Sequence, residues 1–347
     1  MDSTSDCNTN PAAELIREEI RRLGPISFAR YMELALYHPR HGYYVQSIIG
    51  KSGDFFTSVS VGNLFGELLG FFLAAEFEKR SGPKQIVEAG AHNGALARDI
   101  LTWFGKNSAH TVEYWVIEPL ERLRELQRRN LEAFNVRWVT SLEELPDISG
   151  AIVSNELLDS FPAHVYRWNK GWREFGIAQQ GERFVWHALE PAVLPELAPL
   201  EPYLPENFTV EFSPAAEAWW TAAAAKLERG LMLAIDYGDE SEGLWSPARS
   251  AGTIRAYRQH KLADPLEAPG LQDITTSVNF SPIRRAGEQA GLVSEPLASQ
   301  AQFLSRLAPA FFKENPRATG QFQTLTHPEH LGRAFKVLLQ RRPEKAL

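Results

Sequence analysis

The 347-residue chain is 44% hydrophobic and 11% aromatic, enough for one large buried core or two. A formal net charge of −7 argues against broad, non-specific affinity for DNA or RNA, and no apolar run approaches the roughly 20 residues of a bilayer span. A single cysteine, Cys7, excludes an intramolecular disulfide and a cysteine-built metal cluster.

Residues 1–11 read as a disordered tail. Met1 to Ala13 resembles neither a secretory signal nor an arginine-rich transit peptide, so the expected location is cytoplasmic. From Ala12 to Leu23, Leu15, Ile16, Ile20 and Leu23 recur at helical spacing, and Gly24-Pro25 stops the run. Ser27 is placed to cap a second helix reaching about Leu36. A ring-rich turn follows, His38-Pro-Arg-His-Gly-Tyr-Tyr44; His38 and His41 lack an acidic partner, so no metal site is expected. Gly53-Asp-Phe-Phe-Thr-Ser58 then leads into a helix from about Val61 to Arg80. Residues 12–82 thus read as an N-terminal helical cap.

From Ile86 the pattern alternates. Strands are predicted at the start of this stretch, at Glu113 to Glu118, at Val136 to Val139 and at Ala151 to Asn155, with helices over Ala95 to Phe104 and Leu120 to Ala133. Such alternation favours right-handed crossovers and a parallel, Rossmann-like sheet of the α/β class, whose first part is residues 83–162. Ala163 to Trp168, Trp172 to Ala178 and Arg183 to Ala188 read instead as an antiparallel meander, part of an inserted region spanning 163–229. Residues 230–347 resume the core. Leu231 to Ile235 is a buried strand ending in Asp236-Tyr-Gly238, the polar stretch Asp239 to Asp273 is expected to cross the active face, and Phe335 to Leu339 forms a late strand.

The chemistry concentrates at strand ends. Gln85-Ile-Val-Glu-Ala-Gly-Ala-His-Asn-Gly94 is a strand ending near an acid, followed by a glycine turn and a helix start. Glycine lets a ligand approach the backbone, and the helix start offers free N–H groups. A pyrophosphate would be repelled by Glu88, whereas the ammonium and sulfonium of S-adenosylmethionine would tolerate it. The Gly90-x-x-x-Gly94 spacing also departs from the Gly-x-Gly-x-x-Gly turn of a nicotinamide enzyme. Glu118 ends the next strand, where a carboxylate can accept both ribose hydroxyls. Asn155, Glu156 and Asp159 close the strand expected beside the first. Carboxylates there can hold a guanidinium through paired hydrogen bonds.

These blocks together resemble the MidA-like family of S-adenosylmethionine-dependent methyltransferases, which includes a mitochondrial complex I assembly protein-arginine methyltransferase. The resemblance runs from about Ala12 to Arg341. It rests on Gly24-Pro-Ile-Ser-Phe28, Gly53-Asp-Phe-Phe-Thr-Ser58, Glu88 to Gly94, Asn155-Glu-Leu-Leu-Asp159, Ile235-Asp-Tyr-Gly238, and Asp273-Ile-Thr275 with Val278-Asn-Phe280, in the family's order. It implies a class I methyltransferase fold with an N-terminal helical extension and an inserted substrate region. It also implies S-adenosyl-L-methionine as cofactor and a protein arginine as methyl acceptor. Glu88, Gly90, His92, Gly94 and Glu118 map onto cofactor positions, and Asp54, Thr57 and Ser58 onto a loop closing over donor and substrate. Asn155, Glu156 and Asp159 map onto the reacting centre, with Asp236 as secondary support. Two positions depart from the family pattern. His92 stands where the turn usually has glycine, and its imidazole either crowds the donor's carboxylate or donates to it; Val59-Ser60 stands for Pro-Glu. These departures motivate the alternative of a non-catalytic S-adenosylmethionine-binding assembly factor. The expected partner is a protein substrate, with no nucleic acid and no membrane, and a homodimer is left open.

Overall fold

The computed structural model describes residues 10–46, 57–80, 82–259, 261–314 and 319–344. Cys7, Gly53 and Asp54 lie outside the described residues. The chain forms two compact units: residues 1–55, 161–213 and 245–276 make one, and 56–160, 214–244 and 277–347 the other. The boundaries expected at 82, 162 and 229 therefore give way to divisions after 55, 160, 213, 244 and 276.

In the larger unit, Gln85–Ala89, Glu113–Ile117 and Val136–Val139 run parallel and side by side. Ile148–Asn155 pairs on the other flank of Gln85–Ala89, also parallel, and Leu227–Asp239 continues the sheet beyond it. Phe335–Arg342 then adds antiparallel to Leu227–Asp239, in register from Gly230 opposite Arg342 to Tyr237 opposite Phe335. Every residue of Gln85–Ala89 is buried, as a central strand covered on both faces requires. The core includes Leu68, Leu69 and Leu73 from the helix Leu64–Glu78, together with Ile100 and Trp103 from Ala95–Asn107. The first of these helices starts three residues later than periodicity predicts. Val59–Val61 is a separate 3-10 turn, and the Leu64 N–H donates to Gln321 Oε1 (3.0 Å), a cap 257 positions away in the chain.

In the smaller unit, Asn10 caps the helix Pro11–Leu23 by accepting from the N–H groups of Ala12 and Ala13, and Gly24 (φ 82°) ends it. Ser27 caps Phe28–Tyr37 as expected, through the Arg30 N–H. His164–Trp168, Trp172–Gln180 and Arg183–Ala192 form the antiparallel meander, extended by Thr209–Phe212 and by the two-residue strand Ile26–Ser27. Phe28, Tyr31 and Met32 pack with Val165, Ile177 and Phe184. Most of the polar stretch expected to cross the active face belongs to this unit. It holds a three-stranded antiparallel sheet of Arg255–Arg258, Lys261–Ala263 and Asp273–Thr275, in which Ala256 and Ile274 are fully buried. Short alternating runs inside polar sequence concealed these strands.

Candidate functional site

From Gln85–Ala89 the chain moves outward through two strands, then returns to the opposite flank with Ile148–Asn155. Strand order therefore reverses between these two, where Ala89 lies opposite Ser154. A crevice at the carboxyl ends of such a pair is where open α/β sheets bind ligands. Two loops leave the sheet there: Gly90 to Gly94 and Glu156 to Asp159.

The first loop has a left-handed backbone at Gly90 (φ 73°), His92 (48°) and Gly94 (80°). A Cβ on Gly90 would stand 3.0 Å from Leu157 Cδ1, so side chains are disfavoured there by both backbone and space. The Gly94 N–H donates to the Ala91 carbonyl (2.7 Å), and Asn93 Oδ1 accepts from the N–H of Ala95 (3.0 Å), the first residue of the following helix. His92 keeps the handedness that glycine would supply without strain. Its side chain is solvent-accessible but ringed by protein, and the loss of bulk water around the imidazole pushes its pKa below the usual range. Gly90→Ala is expected to destabilise the protein by about 1–2 kcal/mol, because φ must stay positive and Leu157 must give way. Denaturant titration measures it; unchanged stability would show that the turn relaxes freely.

Glu88 is buried on the first strand, and the Tyr114 hydroxyl donates to its Oε2 at 2.7 Å. Among the described residues no cation pairs with it. Burial pushes its pKa up to about 7, and the Tyr114 bond only partly offsets this. A cationic ligand group fits this carboxylate, because it would supply the missing countercharge.

Glu118 is also buried, which raises its pKa. Its Oε1 accepts from the Leu120 N–H (3.0 Å) and its Oε2 from Gln127 Nε2 (3.2 Å). Each oxygen retains acceptor capacity for a hydroxyl. Gln127 went unnoticed in the sequence, where it lies among arginines and glutamates on the helix Glu121–Asn130.

On the other side of the reversal, Asn155 Nδ2 donates to Glu156 Oε1 (3.0 Å). That bond fixes the amide orientation and leaves Asn155 Oδ1 buried without a hydrogen-bond partner among the described residues. Glu156 has φ 52°, and its N–H donates to the Ile235 carbonyl (2.9 Å). Asp236, 1% exposed, lies on the neighbouring strand Leu227–Asp239, one residue past the last that pairs with Ile148–Asn155. Its Oδ2 accepts from the N–H groups of Leu157 (3.1 Å), Leu158 (2.8 Å) and Asp159 (3.3 Å), while Oδ1 accepts from that of Tyr237 (2.8 Å). Burial pushes Asp236 up to about 7 against the pull of these four donors. The carboxylate expected to support a substrate thus has its oxygens turned to the backbone. Asp159 lies buried in the turn that Asp236 holds.

Two other expected residues have structural partners. The Ser58 hydroxyl is fully buried and donates to Gln300 Oε1 (2.9 Å), and Gln300 in turn donates to the Leu325 carbonyl (2.9 Å). Thr57 and Ser60 bind each other reciprocally: Thr57 N–H donates to Ser60 Oγ, and Ser60 N–H to Thr57 Oγ1. Ser60 thereby replaces a charge with a local turn. Among the described residues no group of three or more His, Cys, Asp or Glu is placed to hold a metal ion, and no helix is long and apolar enough to cross a membrane.

Comparison with known proteins follows the same outline. Residues 68–297 match the family described as "Putative S-adenosyl-L-methionine-dependent methyltransferase". The chain is similar to the Drosophila melanogaster homolog of the mitochondrial protein arginine methyltransferase NDUFAF7, at 27% identity over 97% of this chain and 86% of that protein. It is also similar to the Homo sapiens protein, at 28% identity over 94% and 83%. A superfamily member from Burkholderia thailandensis, solved bound to S-adenosyl-homocysteine, superposes with a TM-score of 0.86 at 32% identity, covering 97% of this chain and 93% of that one. The fold is that of a class I methyltransferase. One expectation is corrected: the named relatives are mitochondrial, which overturns the cytoplasmic location. Scarce cysteine fits any reducing compartment and does not choose among them.

Proposed function

Because this chain belongs to the S-adenosyl-L-methionine-dependent methyltransferase family, we propose that it methylates a guanidinium nitrogen of a protein arginine. The relatives named as protein arginine methyltransferases support this acceptor. The observation that carries it is the buried, unpartnered Asn155 Oδ1 beside the Glu156 carboxylate. Two neighbouring acceptors suit a planar group with several N–H donors, and a guanidinium has five.

S-adenosyl-L-methionine is the methyl donor, and its sulfonium supplies an already activated methyl group. The chain's residues then bind and align. Glu88 offsets the positive charge of the methionyl portion, Glu118 accepts the ribose hydroxyls, and the Gly90–Gly94 turn lets the donor lie against the backbone. Asn155 and Glu156 orient the guanidinium towards the methyl carbon. Because the guanidinium pKa exceeds about 12, its proton leaves during or after transfer rather than before it. Asp236 acts as a positioning residue for the loop carrying Glu156, with Asp159 as the secondary acid. Thr57 and Ser58 fix their loop through Ser60 and Gln300.

The test is labelled methyl transfer into arginine-containing protein from a lysate, with donor binding followed separately. Glu156→Gln is expected to lower transfer by roughly one to two orders of magnitude at unchanged donor affinity. Equal labelling by variant and wild type would sink the assigned role. Labelling confined to lysine or carboxyl groups would overturn the arginine reading.

A further inference from the structure

The helix Glu121–Asn130 lies beyond the strand-end motifs, yet two of its side chains hold the glycine-poor loop. Gln127 Nε2 donates to the His92 carbonyl at 2.9 Å, and Asn130 Nδ2 donates to the Asn93 carbonyl at 2.9 Å. The two residues are three positions apart, so they share one face of the helix. Successive peptide carbonyls at the tip of the loop are thus gripped from a single surface. Gln127 does more. The same amide nitrogen reaches Glu118 Oε2 at 3.2 Å, and its Oε1 accepts from Trp138 Nε1 at 3.0 Å. Gln127 is fully buried, and all these contacts fix its amide in one orientation.

We propose that Gln127 is a positioning residue for methyl-donor binding: it ties the loop facing the methionyl end to the carboxylate facing the ribose, with Asn130 as its second anchor. The inference rests on reading Glu118 and the Gly90–Gly94 loop as the donor site. The tie accounts for the tolerance of His92. Glycine takes a positive φ without steric cost, whereas a histidine at φ 48° is strained there and needs outside restraint. A rotation of the His92 peptide would break the Gln127 bond, and a displaced Gln127 would leave Glu118 held by the Leu120 N–H alone. The two ends of the donor are therefore recognised together.

Donor affinity, measured by calorimetry with S-adenosylmethionine and S-adenosylhomocysteine, tests this in the full chain. Gln127→Leu is expected to weaken both about tenfold, the loss of a hydrogen bond to a charged partner. Asn130→Ala, at an exposed position, should cost only a few-fold and leave the melting temperature unchanged. Gln127→Glu places an acceptor against Glu118 and the His92 carbonyl, with Arg124, bonded to the Glu118 carbonyl, and Arg128, over the Trp138 ring, as the neighbouring charges. Relative to wild type at each pH, its binding should be poor at pH 8 and recover towards pH 5.5, where a protonated carboxyl can donate again. Wild-type affinity in both Gln127→Glu and Asn130→Ala, or a Gln127→Glu deficit that does not change with pH, would overturn the proposal. Failure of the wild type itself to bind either compound would instead overturn the donor-site reading.

Discussion

Replacing Asp236 with alanine is expected to lower stability by about 3–5 kcal/mol and to reduce methyl transfer more than a hundredfold. One carboxylate oxygen serves three consecutive N–H groups, Leu157 to Asp159, at the start of a short 3-10 turn. The first N–H groups of any helical turn lack partners within it. Here the partner comes from the adjacent strand, 77 to 79 positions along the chain. Alanine would strand these donors in a buried setting and release the loop that carries Glu156. Asp236→Asn, which keeps the shape but one oxygen fewer, should fall between wild type and alanine. Urea denaturation and single-turnover transfer measure the two effects. An alanine variant with wild-type stability and turnover would refute this account.

The second expected result is a pH dependence with opposite signs for stability and binding. The folded-state pKa of Glu88, about 7, lies above its ordinary value of 4.5. Its stabilising contribution is therefore fully present below pH 4.5 and lost as pH rises through about 7, a change on the order of 3 kcal/mol. Donor binding runs the other way, since a cation favours the ionised carboxylate. Wild-type affinity should rise about tenfold per pH unit up to pH 7, a factor of roughly 100 between pH 5 and 7, and then level off. Glu88→Gln should abolish that slope. At pH 8 it should bind the donor far more weakly than wild type while being the more stable protein. Asp236 titrates in the same window, but it is common to both proteins, so their difference isolates Glu88. A variant that lost stability and affinity together would point to damage rather than to a missing charge.

Sequence reading went furthest where an apolar run meets a polar end. Glu88, Glu118 and Asn155 were legible because each stands at or next to the carboxyl end of a largely buried strand, and strand ends are where a parallel sheet exposes side chains to ligands. The parallel order followed from the strand–helix alternation that starts at Ile86, and the meander from the change in rhythm at Ala163. Asp236 was found as a strand-end acid, but its work is on backbone N–H groups, which are the same for every residue type and leave no trace in sequence. Gln127 was hidden for a related reason. In a helix crowded with arginine and glutamate, a glutamine reads as solvent-facing until its three-dimensional partners are known. Ser58 looked like a ligand contact because it belongs to a motif, whereas its hydroxyl meets a glutamine 242 positions distant.

The antiparallel strand Phe335–Arg342 has a consequence for how the molecule is made. Leu227–Asp239 bears Asp236 and is sandwiched between Ile148–Asn155 and this late strand. On the ribosome, the earlier strands can assemble while that flank still offers a row of unpaired peptide groups to any passing extended chain. Only synthesis past Phe335 seals it. Until that strand pairs, the sheet keeps an open edge of the kind on which partly folded chains aggregate.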